Sequence, residues 1–288
     1  MFFIIGLLIV FSAIIGGYLW EGGKMEIILH ALPPELTIIF GAGFGAFLAS
    51  CPMPLLKKIV ANIMLPLKGS PYTKAVYMEA LMMQYEVYIN IKKGGLLALE
   101  HDVHDPHNST IFKKYSTMLK NHHALDFFCD SMKLLVNGAA KADEIDLVMD
   151  QDLEVHHAET SSPGAALNSM ADSFPAFGIV ACIIGIVITM GVLDQGPMAI
   201  GAKVAAALVG TFLGIVLGYG IFGPFAKHVD SLLATETYFF NSLRAGLAAF
   251  SNGSAPVTAV EIARRNIPSS ERPGSGELEE VVRQIKPR

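Results

Sequence analysis

Four long runs of uncharged, mostly apolar residues constrain this chain more than any other feature of its sequence. An α-helix rises about 1.5 Å per residue, so roughly 20 such residues cross a hydrocarbon core of about 30 Å. The runs of this length are Phe2–Trp20, Leu36–Leu56, Ser173–Leu193 and Val204–Ala226. The chain is 52% hydrophobic and 16% charged, which is too apolar for an ordinary soluble domain. We therefore predict an all-α membrane protein with four transmembrane helices in two hairpins.

The positions of the basic residues predict how these helices are oriented. Of the 21 Lys and Arg residues, 11 lie in the insert 57–172 and 8 in the tail 227–288. Because cytoplasmic segments of membrane proteins carry an excess of Lys and Arg, both segments are predicted to be cytoplasmic, and an even number of spans places the amino terminus there too. The predicted organisation is a hairpin over 1–56, a cytoplasmic insert over 57–172, a second hairpin over 173–226, and a cytoplasmic tail over 227–288.

The insert has the pattern of a helical domain. Apolar residues recur at helical spacing over Lys74–Glu100 and again over Leu119–Leu135. Pro106, in a polar run, and the sequence Ser161-Ser162-Pro163-Gly164 predict breaks between helices.

Small residues form one stripe on each helix of the second hairpin. The third run has Pro175, Gly178, Cys182, Gly185 and Thr189 on one face, and the fourth has Ala202, Ala206, Gly210, Gly214 and Gly218 at intervals of four. Such stripes are typical of closely packed helices, and the second interpretation is the lining of a pathway, which the hydroxyl of Thr211 favours.

Asp, Glu, Lys, Arg and His are missing from the interior of all four runs. Proton relays across membranes are built from such residues, so either the protein moves no ions or a partner subunit supplies the group. Pro175 and Pro224 cannot donate to the carbonyls of Ala171 and Gly220, and each therefore predicts a kink.

Several separated motifs occur in an order that resembles one family. The second hairpin contains ADSFPAFGIV at 171–180 and VGTFLGI at 209–215. The insert contains Leu99-Glu100, Asp105-Pro106, Ser109 and Ile111-Phe112 followed by Tyr115, and the tail contains SSERP at 269–273 and ELEE at 277–280. Together these resemble MotA, the membrane subunit of the proton-driven bacterial flagellar stator, over nearly the whole chain.

The resemblance implies a motor subunit of the bacterial inner membrane with no catalytic activity and no cofactor, in which protons are the coupling ion. Five copies are expected around a dimer of a MotB-like partner whose single membrane helix carries an essential Asp. The positions implied to line the proton pathway are Pro175, Gly178, Cys182 and Thr211. Pro224 is implied in conformational coupling. Sodium-driven relatives usually have Thr where Cys182 stands, which favours protons.

The resemblance also implies a contact with the rotor protein FliG through Lys92 and Glu100. These residues are eight positions apart and lie on one flank only if their helix is continuous. The family more commonly has Arg at the first position, and the neighbouring Lys93 is a second candidate for the same contact.

Three other interpretations are weighed against this one. An ExbB/TolQ-like energising subunit also surrounds a partner Asp but has three spans, and a self-contained transporter needs its own intramembrane polar group. His101, His104 and His107 have metal-ligand spacing on a helix, but Pro106 argues against that helix, so no metal is predicted. The net charge of −5 argues against a nucleic-acid partner.

Overall fold

A computed structural model describes residues 2–286, and within that range all regular structure is helical. The first six α-helices are α1 (Phe2–Trp20), α2 (Met25–Ser50), α3 (Met53–Asn62), α4 (Leu65–Lys68), α5 (Lys74–Gly94) and α6 (Glu100–His104). They are followed by α7 (Ser116–Lys120), α8 (His122–Val136), α9 (Ala142–Met190), α10 (Pro197–Ile215), α11 (Gly223–Ser251), α12 (Pro256–Arg265) and α13 (Ser275–Val282). Short 3₁₀ helices lie at Leu96–Leu99, Phe112–Lys114 and Leu193–Gln195, and a π-helical segment at Val216–Phe222.

Four helical stretches in the described range are long and apolar enough to cross a membrane. They are Phe3–Trp20, Met25–Ser50, Ala142–Met190 and Pro197–Ser251, the last comprising α10, the π-helical segment and α11. The first agrees with the predicted run. The described residues therefore form an all-helical fold with as many apolar helices as the sequence predicts.

The second candidate span lies earlier in the chain than its uncharged run predicts. It begins at Met25 and ends at Ser50, whereas the run extends from residue 36 to residue 56. The helix ends before Cys51-Pro52 because a residue that precedes proline is disfavoured in the α conformation. At the other end, Glu35 lies inside α2 and not in a connecting link, so the prediction that the spans hold no ionisable residue was wrong.

The break predicted at residues 161–164 was also wrong, because α9 continues through it for 49 residues. A proline removes one helical hydrogen bond but does not end a helix whose other contacts hold it in place. Here a side chain adds a hydrogen bond beside the proline: the side-chain amide of Asn168 donates to the carbonyl oxygen of Gly164 at 3.0 Å. A Cβ atom on Gly164 would lie 2.5 Å from Asp230 Oδ1, so the glycine permits close approach of α11. The predicted break at Pro106 is present as a turn after α6.

The chain divides into two compact units, and the first comprises the residues up to Gly69 together with Ser161–Leu232. In this unit Phe174 of α9 is fully buried. Its ring centroid lies 5.8 Å from that of Phe40 on α2 and 4.8 Å from that of Phe222 in the π-helical segment. Gly43 makes room for it, since a Cβ atom there would be 2.9 Å from the Phe174 ring. These contacts hold α2, α9 and the π-helical segment together.

The second unit comprises Ser70–Thr160 and the residues after Leu232. Helix α5 forms its centre, with Tyr77, Leu81, Val87 and Tyr88 almost wholly enclosed. The buried carboxylate of Glu86 accepts hydrogen bonds from Lys114 and, at 2.7 Å, from the hydroxyl of Tyr115. A buried charge needs such partners, because an unpaired carboxylate in an apolar interior is strongly disfavoured.

Candidate functional site: a glycine seam in the first unit

The small residues of α9 and α10 face each other within this chain. A Cβ atom on Gly178 would lie 2.9 Å from the carbonyl oxygen of Gly210 and 3.0 Å from the Cα of Gly214. On Gly185 it would lie 2.5 Å from the Cβ of Ala207. Two helices approach this closely only where side chains are small or absent, so these glycines of α9 pack against Ala207, Gly210 and Gly214 of α10 in one seam. Gly178 is enclosed by this seam, whereas the sequence left it open whether the stripe packs or lines a pathway.

Pro175 lies at one end of the seam, beside Gly218. A Cβ atom on Gly218 would be 2.7 Å from the Pro175 ring and 2.7 Å from the carbonyl oxygen of Ala171. This is the carbonyl that Pro175 leaves without its helical hydrogen bond. The unpaired acceptor, the proline ring and the glycine therefore meet at one point.

The π-helical segment Val216–Phe222 lies between that point and Pro224. The Gly223 amide donates to the carbonyl oxygen of Gly218, five residues earlier, instead of four. Single π turns inside α-helices absorb a local mismatch and are frequent at functional sites. The kink at Pro224 stays a prediction: the structure shows the π-helical segment just before it, and Pro224 itself is exposed in the first turn of α11.

Thr211 and Cys182 retain part of their surface. Both are half-buried, as is Pro175. The hydroxyl of Thr211 makes no hydrogen bond with any residue in the described range, whereas the hydroxyl of Thr189 donates to the carbonyl oxygen of Gly185 at 2.8 Å. The Thr211 hydroxyl can therefore donate a hydrogen bond to a group from another chain.

One functional candidate was missed by sequence reasoning, namely Glu35. Its carboxyl group contacts Gly210, the residue before Thr211. The residue is only 7% exposed, and Oε2 is buried without a hydrogen-bond partner among the described residues. The signal was its position directly before an uncharged run, at the end of the stretch 21–35 that was predicted to be a short link between spans.

The positions implied in the rotor contact lie in the second unit, and both are exposed. They are not on one continuous helix: α5 ends at Gly94, Gly95 has a φ of +78°, and a 3₁₀ turn precedes Glu100 at the start of α6. The predicted helix over residues 74–100 is thus too long, because a left-handed glycine ends it. Lys92 and Glu100 therefore project from separate helices.

The histidine run does not share a helix face either. Helix α6 ends at His104, and the turn after it is held by Asp105, whose side chain accepts from the Asn108 side-chain amide at 2.8 Å. This hydrogen bond lowers the pKa of Asp105. His107 lies beyond the turn, with its ring centroid 5.6 Å from that of His122. In the part of the chain that the structure describes, no three metal-binding side chains cluster.

Comparison with known proteins relates this architecture to one family. A model of the motility protein A N-terminal region matches residues 4–95, and a model of the MotA/TolQ/ExbB proton channel family matches residues 119–241. Motility protein A of Escherichia coli K12 is 37% identical over 286 residues, which cover 99% of this chain and 96% of the relative. The chain belongs to the motility protein A family. Chemotaxis protein LafT of Vibrio parahaemolyticus is 29% identical, with 96% of each chain covered.

Solved structures of the MotA family have the same fold. A chain of the C. jejuni MotAB structure gives a TM-score of 0.73 at 19% identity, covering 94% of this chain and 98% of that one. The flagellar MotAB stator complex from Bacillus subtilis gives 0.69 at 22% identity with the same coverage. The resemblance expected from the motifs is thereby confirmed, and the matched proteins are motility and proton-channel proteins, not enzymes.

Proposed function

We propose that the chain is a membrane subunit of the bacterial flagellar stator that forms, with a MotB-like partner, a channel in which proton flow drives torque on the rotor. The observation that carries the proposal is the match to a MotA protein across 99% of the chain at 37% identity. The match of a MotA N-terminal model to residues 4–95, and four candidate spans, favour this function over that of a three-span ExbB/TolQ-like energising subunit.

The partner supplies the proton carrier. The half-buried faces of Pro175, Cys182 and Thr211 offer a hydroxyl but no carboxyl group. A partner helix with an Asp completes such a surface, because the Thr211 hydroxyl can donate to its ionised carboxylate. Five copies around a partner dimer are the expected assembly.

The large aliphatic side chains of α9 support a membrane ring. Ile179, Ile183 and Val187, spaced by four residues, are each more than half exposed in the isolated subunit. Exposure of such an aliphatic stripe to water is unfavourable, and contact with lipid or with a neighbouring copy of the chain removes that exposure.

The inner membrane is the proposed location, with the second unit in the cytoplasm. The excess of basic residues in the insert and tail supports this orientation. It places exposed Lys92 and Glu100 where complementary charges on FliG reach them, and the exposed Lys93 lies beside the first of these.

The test is to purify the tagged chain from its native membrane, identify the co-assembling protein and reconstitute the complex in vesicles. We expect a single-span partner with a periplasmic domain, and proton uptake that needs both chains. Proton uptake by the chain alone, or a partner dedicated to outer-membrane transport, would refute the proposal.

A further inference from the structure

Glu35 is a carboxyl group enclosed by apolar membrane helices. It lies ten residues into α2 and is 7% exposed. Its carboxyl contacts the backbone of Gly210, and the Cβ of Ala181 covers the same glycine, 3.1 Å from where a Cβ atom on Gly210 would lie. The site thus joins three helices, α2, α9 and α10.

Among the residues that the structure describes, no positively charged side chain pairs with this carboxyl. The ionisable groups on the elements around it are Glu26 and His30 on α2 itself, Lys203 on α10, Tyr18 on α1 and, on the membrane half of α9 after Asp172, the thiol of Cys182. Among the described residues none of these forms an ion pair or hydrogen bond with Glu35, whose Oε2 is buried and unpartnered. An ionised carboxylate is strongly disfavoured in such a place, so the neutral acid is the form that fits.

The helix turn before Glu35 is suited to hold water. Pro33 and Pro34 have no amide hydrogen, so the carbonyls of Leu29 and His30 cannot receive their helical hydrogen bonds. The carbonyl of Pro33 accepts from the Thr37 hydroxyl at 2.8 Å. In a membrane helix, backbone groups freed by proline are satisfied by neighbouring helices, polar side chains or ordered water. The freed acceptors therefore belong to two exposed residues, six and five positions before the buried acid.

We propose that Glu35 is a proton-binding site of this chain. The carboxylate takes a proton from a hydronium ion, which leaves as water, and the neutral acid then packs against Gly210. The reverse step returns the proton to water near the prolines. Because Gly210 directly precedes Thr211, protonation of Glu35 bears on the helix that presents Thr211, and its exchange contributes to the proton flow described above.

The conduction part of this proposal rests on the proposed function, whereas proton binding does not. The experiment therefore uses two readouts on the complex purified with its native partner. The first is infrared spectroscopy of the carbonyl stretch of protonated carboxyl groups, and the second is proton uptake by vesicles as a function of pH. The variants are Glu35→Gln, which has nearly the same shape but does not titrate, and Glu35→Asp. The matched control is Glu26→Gln, an exposed acid on the same helix.

We expect the protonated-carboxyl band of the wild type to lose a component in E35Q and to remain whole in E26Q. Proton uptake should fall several-fold in E35Q with a flatter pH profile, and recover in part in E35D. An unchanged band in E35Q would overturn proton binding, and unchanged uptake and pH profile in an assembled E35Q complex would overturn the role in conduction. If E35Q does not assemble, E35D decides: the band should shift, and an unshifted band refutes the site. A wild-type complex without proton uptake would refute the proposed function and leave the infrared test intact.

Discussion

The ring of Pro175 lies against Gly218, close enough that a Cβ atom on the glycine would be 2.7 Å from Pro175 Cδ. The proline removes a hydrogen bond from α9, and the glycine lets the next helix approach at that place. Each residue on its own reads as a common feature of membrane helices. Together they fix where the π-helical segment of the last membrane helix packs on α9.

The seam predicts that alanine substitutions at two glycines of α10 have very different effects on the melting temperature. Gly214→Ala places a methyl group 2.6 Å from the carbonyl oxygen of Phe174, a backbone atom that cannot rotate away. Overpacking of this kind costs about 1–3 kcal/mol, so we expect a lower melting temperature in detergent. Gly201→Ala is the matched control, because a Cβ atom there meets nothing within 4 Å, and it should leave the melting temperature unchanged or raise it. Equal effects of the two substitutions would contradict the seam.

Substitutions of Thr211 and Thr189 in the second hairpin test whether a hydroxyl serves the proton pathway or only bonds to its own helix. Thr211→Val keeps the shape of the side chain and removes a hydroxyl that makes no hydrogen bond with the described residues. We expect assembly to be retained and proton uptake by vesicles to fall several-fold. Thr189→Val removes a hydroxyl that bonds to its own helix, and proton uptake should be maintained. Wild-type uptake in T211V would remove Thr211 from the pathway.

Charge reversal at the exposed rotor positions should uncouple motility from proton flow. Lys92→Glu and Glu100→Lys alter side chains that lie on the surface of the second unit. We expect swimming to be impaired severalfold in a complementation assay while proton uptake by vesicles stays at the wild-type level. Lys120→Glu, another exposed lysine of the same unit, is the control and should swim normally. Loss of proton uptake in K92E would mean that the residue acts on the channel and not on the rotor.

The carboxylate of Glu261 makes stability depend on pH. Hydrogen bonds from Arg264, and then from Arg265, lower its pKa from an ordinary value of 4.5 to about 2. A lowered pKa in the folded state stabilises the protein fully above pH 4.5, and the contribution is lost as the pH falls towards 2. We expect the wild type to melt above Glu261→Gln at pH 6, and the difference to shrink steadily on acidification.

The difference in melting temperature between the wild type and E261Q should not stay constant from pH 6 down to pH 2. A constant difference would show that the ion pairs of Glu261 do not provide this stability. Glu279→Gln provides the comparison on α13, where the nearest arginine nitrogen, on Arg283, is 3.7 Å away. Such an exposed pair contributes little, so E279Q should follow the wild type.

The three cysteines should differ in reactivity. Cys129 is 1% exposed, and burial raises the pKa of its thiol to about 12. Since the thiolate is the reactive form, we expect no modification of Cys129 by a maleimide at pH 7 until the protein is unfolded. Cys182 and Cys51 are half-buried, and each should react faster than Cys129 in detergent. Mass spectrometry of the labelled peptides measures the order, and early labelling of Cys129 would contradict the packing of the second unit.

Much of the membrane architecture follows from local composition. Uncharged residues from Phe2 to Trp20 suffice to predict α1 with its observed limits, because nothing within that run competes with a lipid-buried helix. Glycine and proline were less informative. Pro163-Gly164 resembles a break, yet α9 passes through it, and Gly95 resembles an ordinary helical residue, yet its positive φ ends α5. Whether such a residue ends a helix depends on what packs across it, and that partner is distant in sequence.

The sequence by itself determined that the chain is helical, that it has four apolar helices and that it belongs to a motor family, since hydrophobic runs and motifs are local properties. Only the tertiary structure decided that the two small-residue stripes pack on each other, that Lys92 and Glu100 project from separate helices, and that Glu35 is buried against Gly210. The packing of the small residues and the burial of Glu35 join segments far apart in the chain, whereas Lys92 and Glu100 are separated by the backbone conformation of Gly95. A carboxyl group at the edge of an apolar run is a surface residue or a buried acid according to which helix covers it.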